Sequence, residues 1–371
     1  MIVAGEPSGD MHAAHLVEWV KKLDPHISFS GVGGPEMQAA GVELYDDLTK
    51  YAAIGFWEFL EHLDKLKKIF RLILKRAAEV KPAAVVLVDF PGFNLRLAKE
   101  LKKKGHRVIY YISPQVWASR DGRVETIHKY TDKLLVLFQF EKDFYAKRNI
   151  TVDFVGHPLL DLVQPQYSKE AFLRSLGLNH QKLTIGLMPG SRIKEIADHL
   201  PVMLETAKIL WDEHKRLQFI LLLAKNLDML TIEKYLRPYH FPIKIIHDQI
   251  YDGIHASDLC VVASGTATLE VAILQKPMVV IYKTSFLTWA LASLLIKIPY
   301  IGLVNVVAGK KIVPECIQHD VTPPKIAQEL EAIFGNEIRI AEIKSELAKV
   351  KASLGEPGAI RRAAEAILKS I

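Results

Sequence analysis

The chain has 371 residues, 50% apolar and 24% charged, which at roughly 150 residues per domain suits two compact domains with substantial cores. That composition excludes a disordered, collagenous or disulfide-stapled protein, and the two cysteines, Cys260 and Cys316, stand far apart in no metal-ligand spacing. The net charge of +6 is uneven: residues 61–108 hold 13 Lys and Arg against 5 acids, a local +8 that leaves −2 elsewhere and implies an anionic partner, nucleic acid or an acidic lipid surface.

The opening Met1-Ile2-Val3-Ala4-Gly5 reads as a strand entering a Gly-rich turn, without the basic and long apolar regions of a secretory signal, so the expected compartment is the cytoplasm. Further strands are predicted at 27–31, 84–89, 108–112, 133–137 and 152–155. Between the second and third, residues 56–76 carry Phe56, Phe59, Leu60, Leu63, Leu66, Phe70, Ile73 and Leu74 on one helical face with bases beside it. Residues 158–169, with two prolines, read as a linker, after which strands recur at 183–188, 218–223, 243–246, 259–263 and 278–282. The apolar segment 286–296 is stopped by Lys297 and Pro299 short of the ~20 residues of a membrane span, and reads as a buried or membrane-touching helix. Helices at 326–334, 338–354 and 359–371 close the chain. Strand and helix alternation of this kind predicts parallel sheets in an α/β fold: one domain over 1–165, a second over 166–354, and a last helix, about 355–371, packing back on the first. No heptad array or short repeat is present.

In open parallel sheets ligands sit beyond the carboxyl ends of the strands. The turn Gly5-Glu6-Pro7-Ser8-Gly9-Asp10 offers a tight bend in which Ser8 or Asp10 can cap the next helix. Gly31-Val32-Gly33-Gly34 is only a partial dinucleotide fingerprint. Asp89 ends an otherwise apolar strand before Phe90-Pro91-Gly92-Phe93-Asn94, and because a carboxylate there must be repaid by hydrogen bonds or by function, it is the candidate general base. Ser113, Gln115 and Trp117 combine a hydroxyl, an amide and an indole suited to a sugar or lipid headgroup. Pro189-Gly190-Ser191-Arg192 and Ser264-Gly265-Thr266-Ala267 each follow a strand and open a helix, so their N–H groups and the Arg192 charge can hold a diphosphate, with Glu270 placed to accept from ribose hydroxyls. There is no Walker ending, no Asp-x-Asp and no Gly-x-Ser-x-Gly elbow, so ATPase and serine hydrolase chemistry are not expected and the charge on a diphosphate falls to Arg192 and backbone dipoles. His157, in Val155-Gly156-His157-Pro158, is given a structural or hinge role.

In this order the motifs resemble the lipid-A-disaccharide synthase family over nearly the whole chain, with Gly92 where relatives often carry Asp and Trp117-Ala118-Ser119 where Trp-Ala-Trp is usual. The resemblance implies a GT-B architecture, two Rossmann-like doubly wound domains facing across a cleft, the first for the acceptor and the membrane, the second for a UDP-sugar. It implies an inverting hexosyltransferase of lipid A (lipopolysaccharide) biosynthesis that joins UDP-2,3-diacylglucosamine to 2,3-diacylglucosamine 1-phosphate (lipid X), giving the β-1,6 disaccharide 1-phosphate and UDP, with no cofactor and no metal. Asp89 is then the base and Gly190, Ser191, Arg192, Ser264, Gly265, Thr266, Ala267 and Glu270 bind the nucleotide diphosphate. The resemblance adds Asn305 to that group and gives Ser8, Gly9, Asp10, Asn94, Ser113, Gln115 and Trp117 to the acceptor. Expected partners are the two lipid substrates and the cytoplasmic leaflet of a Gram-negative inner membrane, met peripherally through the basic helix, with no nucleic acid and a monomeric or homodimeric state. Competing readings are a nucleotide-sugar 2-epimerase or a cell-wall glycosyltransferase with a lipid-linked acceptor, and, from another class, a non-catalytic basic docking module.

Overall fold

A computed structural model describes residues 1–52, 63–114, 122–224, 227, 229–285, 289 and 299–371. The chain forms two compact units, residues 1–161 with 354–371, and residues 162–353.

The first unit is built on seven strands: β1 (Ile2–Ala4), β2 (Ser30–Gly33), β3 (Glu43–Asp47), β4 (Val85–Val88), β5 (Val108–Tyr111), β6 (Lys133–Val136) and β7 (Asp153–Phe154). They lie in the order β3-β2-β1-β4-β5-β6-β7, every pair parallel. Crossover helices cover both faces, which is why β4 and β5 are apolar throughout and almost fully buried. The helices are α1 (Pro7–Leu23), α2 (Pro35–Ala39), α3 (Thr49–Ala52), α4 (Leu63–Val80), α5 (Pro91–Lys103), α6 (Gly122–Tyr130), α7 (Gln139–Ala146) and α8 (Leu159–Leu162).

The second unit holds α9 (Lys169–Ser175), β8 (Leu183–Met188), α10 (Ile193–Glu213), β9 (Leu217–Leu222), α11 (Met229–Leu236), β10 (Ile243–Ile246) and α12 (Ile250–Ala256). There follow β11 (Leu259–Ala263), α13 (Ala267–Ile273), β12 (Met278–Tyr282), α14 (Leu303–Ala308), β13 (Glu315–Ile317), α15 (Pro323–Phe334) and α16 (Glu337–Ser353). Its sheet, also all parallel, runs β10-β9-β8-β11-β12-β13.

Several sequence expectations shift. The strand predicted at 27–31 is displaced to Ser30–Gly33, and two strands, Glu43–Asp47 and Glu315–Ile317, were not foreseen. Both lie at sheet edges; Glu43–Asp47 is mostly polar and nowhere fully buried, and Glu315–Ile317 is only three residues long and begins on a Glu, so no apolar run marks either. The residues predicted as a linker include a short helix, Leu159–Leu162, with Leu159 and Leu160 buried. The described part of the basic helix, α4, buries Leu66, Ile69, Ile73 and Ala77 against the sheet, with Phe70 and Leu74 partly buried beside them. Its apolar face is therefore occupied by the core, while Lys65, Lys67, Lys68, Arg71, Lys75 and Arg76 remain exposed. Phe56, Phe59 and Leu60 lie outside the described residues, as does nearly all of segment 286–296. No described helix is long and apolar enough to cross a membrane. Cys260 and Cys316 are buried and unbridged.

The last helix, α17 (Ala359–Leu368), belongs to the first unit and lies along α1 through Ala359, Ile360, Ala363, Ala364 and Ile367. Asp161 caps it, accepting the N–H of Gly358 and that of Ile360 at 3.0 Å, and Arg362 Nε donates to Val155 O at 2.9 Å. Removing the cap in Asp161→Ala is expected to cost about 1–2 kcal/mol, read as a lowered urea midpoint and faster amide exchange over residues 359–368.

Candidate active site

In the first sheet the chain runs outward from β1 to β3, then returns to the other side of β1 as β4 and runs outward again to β7. The loops after β1 and β4 lie on either side of this reversal, the position at which open α/β sheets bind their ligands. Glu6 stands on one loop and Asp89 on the other.

The β4 loop is under strain. Asp89 and Phe90 both adopt left-handed conformations, φ 45° and 48°, costly for residues with a Cβ. Surrounding bonds hold them there. Tyr110 Oη donates to Asp89 O at 2.6 Å, Asn94 Nδ2 donates to Asp89 O at 2.8 Å and to Val88 O at 3.1 Å, and Asp89 N–H continues the ladder to Tyr111 O at 3.1 Å. Pro91 then opens α5 with its φ already set. Phe90 folds its ring over the end of β1, where a Cβ on Gly5 would lie 2.2 Å from the ring, so only glycine admits it. Burial, and next the carboxylate of Glu6, push the Asp89 carboxyl up to about 7, with the N–H of Phe90 pulling weakly the other way. Glu6 is the residue that sequence reasoning passed over here: its effect on Asp89 comes from strand pairing, and neither neighbour in sequence announces it.

The other first-unit candidates divide by burial. Ser8 is exposed and Gly9 buried at the start of α1, and no side chain caps that helix. Asp10 does not cap α1. It is buried, and accepts N–H bonds from Gly34 (2.7 Å), Glu36 (2.9 Å) and Met37 (3.2 Å), capping α2 and locking the Gly-rich turn after β2. Burial raises its pKa despite those bonds. Asn94 is fully buried, so it holds the β4 turn from beneath, with Oδ1 lacking a hydrogen-bond partner among the described residues. Ser113 is buried and hydrogen-bonded to Tyr145 Oη at 2.9 Å. Gln115 and Trp117 lie outside the described residues. His157 is buried, its Nδ1 accepting the N–H of Leu159 at 3.2 Å, and burial with the nearby His12 lowers its pKa to about 3.

The second sheet reverses between β8 and β11, so the loops that diverge are Pro189–Arg192 and Ser264–Thr266. Gly190 has φ 118°, and a Cβ there would strike the Glu195 side chain. That room matters, because Glu195 Oε2 accepts the N–H groups of Ser191 (2.8 Å) and Arg192 (3.2 Å) while its Oε1 pairs with the Arg192 guanidinium at 3.3 Å. A carboxylate thus already lies against the donors expected to face a diphosphate. Ser191 and Arg192 are exposed.

Across the reversal, Ser264 Oγ donates to Ile301 O at 2.8 Å, Thr268 Oγ1 donates to Gly265 O at 2.8 Å, and Gly265 and Thr266 are exposed, with Ala267 half-buried. Glu270 is half-buried one turn into α13, and burial pushes its carboxyl up to about 7. Asn305 departs from expectation. It is fully buried, donates to Val313 O (3.0 Å) and Glu315 Oε1 (2.8 Å), and accepts from Ile312 N (2.8 Å) and Val313 N (3.1 Å), so its amide is saturated and ties the residues before β13 to α14. Glu315, unremarked in the sequence, also accepts the N–H groups of Gly302 (2.9 Å) and Ile301 (3.1 Å). Among the described residues, the grouping of metal-type ligands, Glu213, His214 and Glu331, sits at the far end of α10 from Arg192.

Twin parallel sheets of this topology, each covered by crossover helices, are those of the GT-B class of α/β proteins. Solved structures agree on the fold. The S. aureus MnaA-UDP co-structure superposes with a TM-score of 0.68 at 12% identity over 100% of this chain and 96% of that one. A Neisseria meningitidis UDP-GlcNAc 2-epimerase bound to UDP-GlcNAc gives 0.66 at 13% over 99% and 98%, and the calicheamicin glycosyltransferase CalG4 gives 0.59 at 14% over 100% and 96%. Sequence comparison narrows the class. The family described as lipid-A-disaccharide synthetase matches residues 1–370. Lipid-A-disaccharide synthases of Geobacter metallireducens and Syntrophus aciditrophicus are 41% and 43% identical, covering 100% and 98% of this chain and 97% and 95% of their own lengths. The chain belongs to the lipid-A-disaccharide synthase family and is a glycosyltransferase of lipid A biosynthesis.

Asp89 gives a stability prediction whose sign is fixed. Its folded pKa of about 7 lies above the ordinary 3.8, so its contribution is fully present below pH 3.8 and is lost as pH rises through about 7. Asp89→Asn should therefore raise the urea midpoint at pH 8, with the gain shrinking toward zero by pH 4, a slope of up to about 1.4 kcal/mol per pH unit.

Proposed function

We propose that the enzyme transfers the sugar of UDP-2,3-diacylglucosamine to the 6-hydroxyl of 2,3-diacylglucosamine 1-phosphate, with inversion at C1, releasing the β-1,6 disaccharide 1-phosphate and UDP. The observation that carries this reading is the placement of the two motif sets at the two strand reversals, the carboxylates on the first sheet and the glycine loops with Arg192 on the second. On this reading the first unit, residues 1–161 with the last helix, holds the acceptor and the second holds the donor.

Asp89 takes the proton of the acceptor hydroxyl as that oxygen attacks C1 from the face opposite the diphosphate. A base near pKa 7 is half-ionised at neutral pH and still basic enough to assist, and Glu6 contributes by keeping that value high. As the C1–O bond breaks, negative charge grows on the diphosphate, where Arg192, the Gly190–Ser191 loop and the Gly265–Thr266 turn supply a guanidinium and peptide dipoles. The carboxylate of Glu195 on the Ser191 and Arg192 N–H groups supports this assignment, since the loop already holds an anionic oxygen. Glu270 takes the ribose hydroxyls. Asn305 acts behind the site, by holding α14. With the apolar face of α4 against the core, peripheral contact with the inner leaflet falls to exposed bases of α4 and α5, among them Lys68, Arg71, Arg96 and Lys99, acting by charge on anionic headgroups.

Folded Asp89→Ala and Arg192→Ala variants are each expected to lose about a hundredfold or more in turnover, assayed as disaccharide formation from diacylated donor. Near-normal turnover removes the residue from its role. In the wild type kcat/KM should climb with unit slope up to about pH 7 and level off, and this limb should vanish in whatever activity Asp89→Asn retains. UDP should raise the melting temperature of the wild type, and NAD should leave it unchanged.

A further inference from the structure

We infer that His199 is a positioning residue of the donor site, a neutral imidazole bonded at both nitrogens that ties the loop after β8 to the loop after β12. The inference rests on the reading that the second unit binds the nucleotide diphosphate at Gly190–Arg192.

His199 lies two turns inside α10 and is 1% exposed. Its Nδ1 is 3.0 Å from Pro189 O, and a carbonyl can only accept, so Nδ1 carries the hydrogen. Its Nε2 lies 3.0 Å from the backbone N of Lys283, which can only donate, so Nε2 is bare. Backbone chemistry alone fixes the tautomer. In the sheet β11 separates β8 from β12, so the ring reaches past the end of β11 to join the loops on either side of it. The three loops concerned are the ones that follow those strands: Pro189 precedes Gly190-Ser191-Arg192, Ser264 begins the turn after β11, and Lys283 follows β12.

The anchor on the β12 side is itself held. Ser264 N–H donates to Ile281 O at 2.9 Å, and Thr284 is held at both backbone groups by Gln318, whose Oε1 accepts its N–H at 2.8 Å and whose Nε2 donates to its carbonyl at 3.2 Å. With the β12 loop clamped by Gln318 and joined to Pro189 by His199, the position of the Gly190–Arg192 loop is referenced to the far side of the sheet. A displacement of about 1 Å in a group that stabilises a leaving anion is enough to matter for rate. An apolar side chain of similar size fills the space and leaves the Pro189 carbonyl and the Lys283 N–H without their partner.

The test uses full-length His199→Leu, His199→Asn and His199→Gln, with UDP affinity by calorimetry and KM and kcat for each substrate. His199→Leu is expected to weaken UDP binding and raise the donor KM about tenfold, with the acceptor KM unchanged. Asn offers a donor near the Nδ1 position and Gln an acceptor near Nε2, so each is expected to restore part of the loss. A lowered melting temperature with wild-type UDP affinity and donor KM overturns the proposal, because packing alone produces that pattern. If His199→Leu does not fold, the Asn and Gln variants decide, and wild-type donor KM in both overturns it. Arg192→Ala separates the two readings: unchanged UDP affinity there refutes the nucleotide site itself, whereas its loss beside intact His199 variants refutes only the role of His199.

Discussion

One constraint of parallel β-structure organises both units. A parallel pair needs a crossover over one face of the sheet, so every loop that follows a strand emerges at the same edge. Neighbouring loops lean together along most of that edge and part only where the direction of strand addition reverses, between β1 and β4 and between β8 and β11. Those strands can sit in mid-sheet because their residues are apolar on both faces, as Val85–Val88 and Leu259–Ala263 are. The chemistry therefore need not be built into the core. On the proposed reading it is carried on four loops whose divergence the topology supplies.

At the β4 loop several unfavourable features gather in one turn. Two successive left-handed residues and a half-buried carboxyl beside Glu6 are each unfavourable, and strain of this kind persists where the surroundings over-determine it. Tyr110, Asn94 and the Tyr111 carbonyl do so here, and none of their bonds touches the carboxyl itself. The backbone is thus pinned while the side chain keeps a raised proton affinity. Glu270 at the other reversal has its carboxyl raised to about 7 by burial alone, with no second carboxylate contributing as Glu6 does for Asp89.

How far the sequence reveals this depends on the range of each interaction. Mid-sheet strands announce themselves by uninterrupted apolar runs, and the loops by Gly and Pro, so the fold and the position of Asp89 were legible. Glu43–Asp47 and Glu315–Ile317 were not, because an edge strand is paired on one side and tolerates polar residues. Tertiary partners hid the rest. Asp10 looks like a cap for its own helix but reaches α2, Glu6 meets Asp89 only through the β1–β4 pairing, and His199 bonds to backbone atoms that no side-chain pattern betrays. Asn305 was placed by resemblance, which locates a residue near a site without telling whether it touches ligand or holds the residues that do.

The resting state of the Gly190–Arg192 loop bears on how the donor is received. With the N–H groups of Ser191 and Arg192 already bonded to Glu195, the loop backbone is ordered before any ligand arrives. Ordering three free residues on binding would cost about 1–2 kcal/mol each in backbone entropy. On the proposed reading that cost falls at folding, and the donor's arrival exchanges one anionic oxygen for another at a preformed cradle. On that reading the donor's arrival requires the Glu195 side chain to give up the N–H groups of Ser191 and Arg192. Gly190 makes the arrangement seen here possible, since its missing Cβ leaves the space in which Glu195 rests. His199, bonded to the carbonyl just before that glycine, keeps the cradle in place while its occupant changes.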